Sequence, residues 1–159
     1  MARKKTATSA SPAEAAFRGL LGAYGLLNRV MHPYFARFGI SGAQWGVLRV
    51  LRRAEGEAAG GLRLTDLGRR LLIRPPSVTG VVDRLQRLGW VQRSSSSSDR
   101  RAKYVGLTPA GRALVERVRR GHARQVEAVL GGLSRKEQAD LGRLLARLTS
   151  HLREMAGRR

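Results

Sequence analysis

Apolar residues recur at helical spacing over most of this chain. Phe17, Leu20, Leu21, Tyr24, Leu27, Val30 and Met31 form one stripe, the pattern of an amphipathic helix. Ser11-Pro12-Ala13-Glu14 opens it, with Ser as N-cap, Pro in the first turn and Glu completing a capping box. Pro33 is expected to end or bend this helix. So continuous a stripe, ahead of the compact middle, points to packing against another subunit; an intrachain core is the other reading. Ser41-Gly42-Ala43-Gln44 is a second capping box. The apolar Trp45, Val47, Leu48, Val50 and Leu51 then predict a helix to about Arg53, and Gly56 to Gly61 reads as a loop.

The period changes next. Leu62-Arg63-Leu64 alternates, as a very short strand does. Thr65 is expected to cap a helix over Asp66–Leu72, with Asp66 favourable in the first turn. A turn at Ile73-Arg74-Pro75 leads into the stretch on which the chain is organised. Two prolines open it, tolerated only in a first turn. Val78, Val81, Val82, Leu85 and Leu88 make one apolar face, and Gly89 is placed to end the helix. The other face carries Ser77, Thr79, Gly80, Asp83, Arg84 and Arg87. Small and hydroxyl residues at a helix N-terminus, followed by Arg, suit a helix set end-on in a DNA major groove. Leu67, Leu71 and Leu72 are expected against Val78, Val82 and Leu85, making a helix-turn-helix.

Trp90–Arg93 and Asp99–Leu107 are strand-like runs around Ser94–Ser98, a hairpin with an exposed, flexible tip. Thr108-Pro109-Ala110-Gly111 starts a further helix, whose stripe is Leu114, Val118, His122, Val126, Val129 and Leu130. Gly131-Gly132 breaks it. Ser134-Arg135-Lys136-Glu137 is another capping box, before a final stripe of Leu141, Leu144, Leu145, Leu148, Leu152 and Met155. Residues 1–10 are small, polar and basic, and read as a disordered tail.

Charge narrows the partners. The 159 residues carry 31 Lys and Arg against 11 Asp and Glu, a net +20, which points first to nucleic acid and second to an anionic membrane surface. Cysteine is absent, which removes disulfides and thiolate metal sites. No apolar run reaches the roughly 18 residues of a membrane span, and no apolar secretion signal is visible, so a cytoplasmic protein is expected. His32, His122 and His151 lack metal-ligand spacing, so neither metal nor cofactor is expected. No nucleophile–base pair, phosphate loop or paired carboxylates argue for an enzyme. RNA binding lacks the aromatic platform it usually needs, at 5% aromatics.

Several short motifs fall in order here. They are Arg74-Pro75-Pro76-Ser77-Val78-Thr79-Gly80-Val81-Val82-Asp83-Arg84-Leu85, then Gly89-Trp90-Val91-Gln92-Arg93, Asp99-Arg100-Arg101-Ala102-Lys103 and Leu107-Thr108-Pro109-Ala110-Gly111. On these the chain, over about residues 12–155, resembles the MarR (multiple antibiotic resistance regulator) family of winged helix-turn-helix transcription factors. The resemblance implies a mainly α fold with a small β wing. The winged helix-turn-helix would occupy residues 40–108, and a helical dimerisation region residues 11–38 and 109–157. It implies a homodimer on a pseudo-palindromic operator in double-stranded DNA, with half-sites about 10 bp apart.

By the same resemblance, Arg74, Pro76, Ser77, Thr79 and Gly80 approach bases or phosphates, and Arg84 contacts the backbone. Arg101 enters the minor groove, oriented by Asp99, and Arg100 faces phosphate. The family default is repression. Many members bind small phenolic or aromatic effectors between the dimer helices and the DNA-binding lobe. Tyr24, His32, Tyr34, Trp45 and His122 are candidate lining residues; the more ordinary reading of such side chains is core and interface. Two features depart from the family pattern: an all-Ser wing tip, and Trp90 where smaller aliphatics are usual, read as packing beneath the wing. The alternative function is a non-specific architectural DNA-binding protein using its charge alone.

Overall fold

The computed structural model describes residues 11–56, 61–71, 75–95 and 103–157. In chain order these form α1 (Pro12–Ala36), α2 (Gly42–Ala54), β1 (Leu62–Arg63), α3 (Leu64–Leu71), α4 (Pro75–Arg87), β2 (Val91–Ser95), β3 (Lys103–Leu107), α5 (Pro109–Leu130) and α6 (Arg135–Gly157). The mainly helical fold with a small β wing is as expected. Two compact units divide the chain, one through Arg120 and one from Gly121.

The first unit holds the core. Leu48 and Leu51 of α2, Leu67 of α3 and Val78, Val82 and Leu85 of α4 are buried, together with Val91, Val105 and Leu107 of the sheet and Leu114, Val115 and Val118 of α5. Each such side chain contributes about 1.5–3 kcal/mol on leaving water. The sheet order is β1-β3-β2, all antiparallel. Val91 pairs with Leu107 and Arg93 with Val105, which sets the inward face; Arg63, Tyr104 and Ser94 fall on the other.

Helix starts follow the sequence closely. The Ser41 hydroxyl accepts from Gln44 N while Gln44 Oε1 accepts from Ser41 N, a complete capping box. The Ser11 hydroxyl accepts from Glu14 N at 3.2 Å. Helix ends are where expectation and structure part. Pro33 lies inside α1 and does not end it. A proline ring withholds one amide, from the carbonyl of Arg29, and Arg29 is exposed to water. The residues after it, Tyr34 and Phe35, are buried and hold the last turn in place. Closure comes instead at Gly39, with φ +70°: Gly39 N donates to Ala36 O and Ile40 N to Phe35 O, a Schellman closure.

The same device ends α4. Gly89 has φ +73°, Gly89 N donates to Gln86 O and Trp90 N to Leu85 O. Leu88, expected on the apolar face of that helix, lies in this turn and is exposed. The cap expected at Thr65 is also displaced. β1 passes directly into α3 at Leu64, so Thr65 sits within the first turn. Ser94 and Ser95 belong to β2 rather than to the loop, because pairing with Tyr104 and Lys103 extends the strand.

The second unit contains α6, opened by the Ser134–Glu137 capping box. Ser134 N donates to Glu137 Oε2 at 2.8 Å and Glu137 N to the Ser134 hydroxyl at 3.3 Å. The Ser134 hydroxyl also donates to Glu137 Oε2 at 2.7 Å, and this bond first, with the one from Ser134 N, holds the Glu137 carboxyl below its ordinary range. Not one residue of α6 is buried. Leu141, Leu144, Leu145, Leu148, Leu152 and Met155 stand exposed, as Phe17, Leu20, Leu21, Tyr24, Leu27 and Val30 do on α1 in the first unit.

Candidate nucleic-acid interface

Helix α4 has two unlike faces. Val78, Val82 and Leu85 are buried, whereas Ser77, Gly80, Arg84 and Arg87 are exposed and Thr79 is half-buried. Among the described residues nothing requires glycine at position 80: a Cβ there would meet none of their atoms within 4 Å. A glycine kept on an open face permits close approach from outside. The exposed side therefore offers hydroxyl, glycine and guanidinium in that order along the helix, a set suited to base edges and phosphates.

The wing stem is braced to this helix. Arg93, on β2, points inward from the strand, where its Nη2 lies 2.6 Å from Asp83 Oδ1 and its Nη1 donates to Gln86 Oε1 at 3.1 Å. Both partners belong to α4. Reading the sequence placed Asp83 on the polar face and gave Arg93 no role. The available signal was strand alternation, which puts Arg93 on the same side as the buried Val91.

A second junction fixes the base of the wing. The Thr108 hydroxyl donates to Gly89 O at 2.7 Å and accepts from Gly111 N at 3.0 Å, while Thr108 N donates to Trp90 O at 3.2 Å. Gly111 is buried, and a Cβ on it would stand 2.0 Å from Trp90 O. Thr108 thus caps α5 and ties it to the turn ending α4, which gives Leu107-Thr108-Pro109-Ala110-Gly111 its physical meaning.

The remaining candidates are placed as follows. Pro76 lies in the first turn of α4; Arg74, Asp99, Arg100 and Arg101 fall outside the described residues. Tyr24 and His32 are exposed on α1. Tyr34 is buried and donates its hydroxyl to the carbonyl of Val118 in α5. Trp45 is buried too, and Phe35 stands between the two, with ring centroids 5.5 Å from Tyr34 and 6.1 Å from Trp45. His122 is half-buried on α5. The structure thus brings together Tyr34 and Trp45 of this set. Among the described residues, no cluster of three or more His, Asp or Glu is placed to hold a metal, and no helix is long and apolar enough to cross a membrane.

Helices α2, α3 and α4 with a β2–β3 hairpin braced to the last of them define a winged helix-turn-helix DNA-binding protein. The comparisons carry this to a family. The MarR family model matches residues 38–102. The regulator PecS of Dickeya dadantii is 30% identical over 127 residues, covering 80% of this chain and 75% of PecS. A mutant MarR from E. coli, complexed with operator DNA, superposes with a TM-score of 0.75 at 26% identity, over 82% of this chain and 91% of that one. Bordetella bronchiseptica BpsR, whose DNA binding is regulated by 6-hydroxynicotinic acid, gives 0.76 at 29% identity, over 86% and 99%. The chain belongs to the MarR family of helix-turn-helix transcriptional regulators.

Proposed function

We propose that this chain is a homodimeric, sequence-specific repressor that binds a pseudo-palindromic operator and is released by a small aromatic or phenolic effector. The observation that carries it is the open face of α4, where Ser77, Gly80 and Arg84 are exposed opposite a buried Val78, Val82 and Leu85. In a two-fold dimer, two such faces enter successive major grooves about 10 bp apart. Arg101, oriented by Asp99, extends the contact into the flanking minor groove, where a narrow, negative channel attracts Arg, and Arg100 faces phosphate. Residues 40–108 form the DNA-binding domain, and 11–38 with 109–157 the dimerisation region. Support for the dimer comes from the apolar stripes that α1 and α6 each leave exposed, the kind of surface that marks an interaction site. Support for an effector comes from the aromatic set at Tyr34 and Trp45 and from the regulation of BpsR by 6-hydroxynicotinic acid.

The test is selection of bound duplexes from a random pool by the purified protein. A shared short inverted repeat is the expected result, with weaker binding when aromatic carboxylic acids are added. Enrichment without a shared sequence would favour the architectural reading, in which the +20 charge acts on phosphates alone.

A further inference from the structure

Arg63 had no role in the sequence reading, and its position in the sheet gives it one. β1 is only two residues long. Leu62 turns inward and is buried, so Arg63 turns outward and is exposed. Arg63 pairs with Tyr104 of β3, and Tyr104 pairs with Ser94 of β2, which puts all three on one row across the outer face. The next row out, Ser95 with Lys103, is the last described pair before the wing tip. The row therefore lies one strand residue, about 3.3 Å, below the outermost described part of the wing stem. Because β1 runs antiparallel to β3, it runs toward the tip, and Arg63 is its tip-side end. The first turn of α3 begins at the following residue.

The side chain is also held. Arg63 Nε donates to the Tyr104 hydroxyl at 3.2 Å, and its guanidinium carbon lies 5.6 Å from the centre of the Tyr104 ring, within cation–π range. An Arg fixed through its inner nitrogen by a ring partner loses less freedom when its planar fork meets an anion. Lys103, on the next row of the sheet, is basic as well, and the chain as a whole carries +20, which favours a polyanion over a cationic or apolar partner.

We infer that Arg63, positioned by Tyr104, is an additional DNA-phosphate contact, gripping the backbone that flanks the minor groove entered by the wing. The inference rests on the proposed operator binding and deepens it: the footprint widens to the backbone beside the wing's minor groove, by a contact that carries no sequence information.

The experiment uses the full chain and two duplexes built on the selected operator, one with flanks a helical turn beyond the wings and one trimmed at the edge of the wing's minor groove. On the long duplex, Arg63→Ala should weaken binding about three- to tenfold at physiological salt and lower the salt slope by about one. Arg63→Lys should keep the slope and lose part of the affinity. Tyr104→Phe, which keeps the ring and removes the hydroxyl, should keep the slope and weaken binding about twofold, by analogy with a lost positioning bond. On the trimmed duplex, Arg63→Ala and the unmodified chain should bind alike. Equal affinity and slope on the long duplex would overturn the inference while leaving operator binding intact. An equal loss on both duplexes would also overturn it, as damage to the sheet. If the unmodified chain selects no shared sequence, a duplex of arbitrary sequence takes the operator's place. A slope difference there between it and Arg63→Ala would support the contact, while the operator reading alone would fail.

Discussion

Asp83 of α4 and Arg93 of β2 meet at 2.6 Å, so the recognition helix and the wing stem are joined by one ion pair. Both side chains are partly exposed, and such pairs add only about 0.2–1 kcal/mol to stability. The geometric effect is larger. With Gln86 as second partner, Arg93 sets the angle at which the wing leaves the helix, and two grooves can be read together only at one angle. Asp83→Asn and Arg93→Gln should therefore weaken operator binding at least tenfold, an effect of about 1.4 kcal/mol on binding, while melting temperatures fall by only a few degrees. Titration of a labelled operator alongside thermal melts checks this. Loss of binding only in proportion to lost folding would refute the brace.

Gly111 is a packing glycine. A Cβ there collides with Trp90 O at 2.0 Å, and the backbone on both sides is tied down by Thr108. Gly111→Ala is expected to cost about 1–3 kcal/mol, as overpacking does. Gly80→Ala meets nothing among the described residues and should leave the denaturation midpoint unchanged or raise it slightly, since alanine suits a helix better by about 1 kcal/mol. Its effect should appear in operator affinity instead. Chemical denaturation of the two variants separates the roles.

Arg84 and the short residues of α4 should differ in kind. Arg84→Ala ought to weaken specific and random duplexes together and reduce the salt slope by about one, as a phosphate contact does. Ser77→Ala with Thr79→Val ought to lower discrimination between operator and random DNA with the slope preserved. Binding isotherms at several salt concentrations distinguish these outcomes.

The exposed stripes of α1 and α6 make oligomerisation testable. Leu21→Glu or Leu144→Glu places a charge on an apolar face and should shift the sedimenting species from dimer to monomer. Operator affinity should then fall by orders of magnitude, because two linked half-sites become two separate ones. An unmodified chain that sediments as a monomer at micromolar concentration would contradict the dimer.

The capping carboxylate of α6 gives a pH dependence with a definite sign. Glu137 is held below its ordinary range by Ser134, so its folded form binds a proton less readily than its unfolded form. Its contribution is present above the carboxylate range and is lost as pH falls through it. Once rates are corrected for the intrinsic slowing of amide exchange with acidity, protection of the Ser134 and Glu137 amides should fall on acidification, and Glu137→Gln should show no such step.

Much of this architecture was readable in the residues, and the reasons are local. The face of α4 follows from the spacing of Val78, Val82 and Leu85, and the caps at Ser41 and Ser134 need residues only three positions apart. The errors fell where a distant partner decides. Pro33 reads as a helix end or bend, and of the two the end is excluded: buried Tyr34 and Phe35 carry the helix past it, and Gly39 closes it. Ser94 and Ser95 read as loop, yet β3 supplies their pairing. Strand alternation turns Arg93 inward, but its partner was not legible because Asp83 lies ten residues earlier on another element, and that of Arg63 was not because Tyr104 is distant in sequence.

Helix α6 has 23 residues and buries none of them. A helix in that state has little to hold it in water, where most helical stability comes from packing. Whatever covers its stripe therefore supplies its folding free energy, and mass action then governs that supply. Dilution would melt this segment first and open it to proteases, so a cell holding few copies would clear them faster than one holding many. Abundance would thus sustain itself, giving the regulator a threshold below which it disappears.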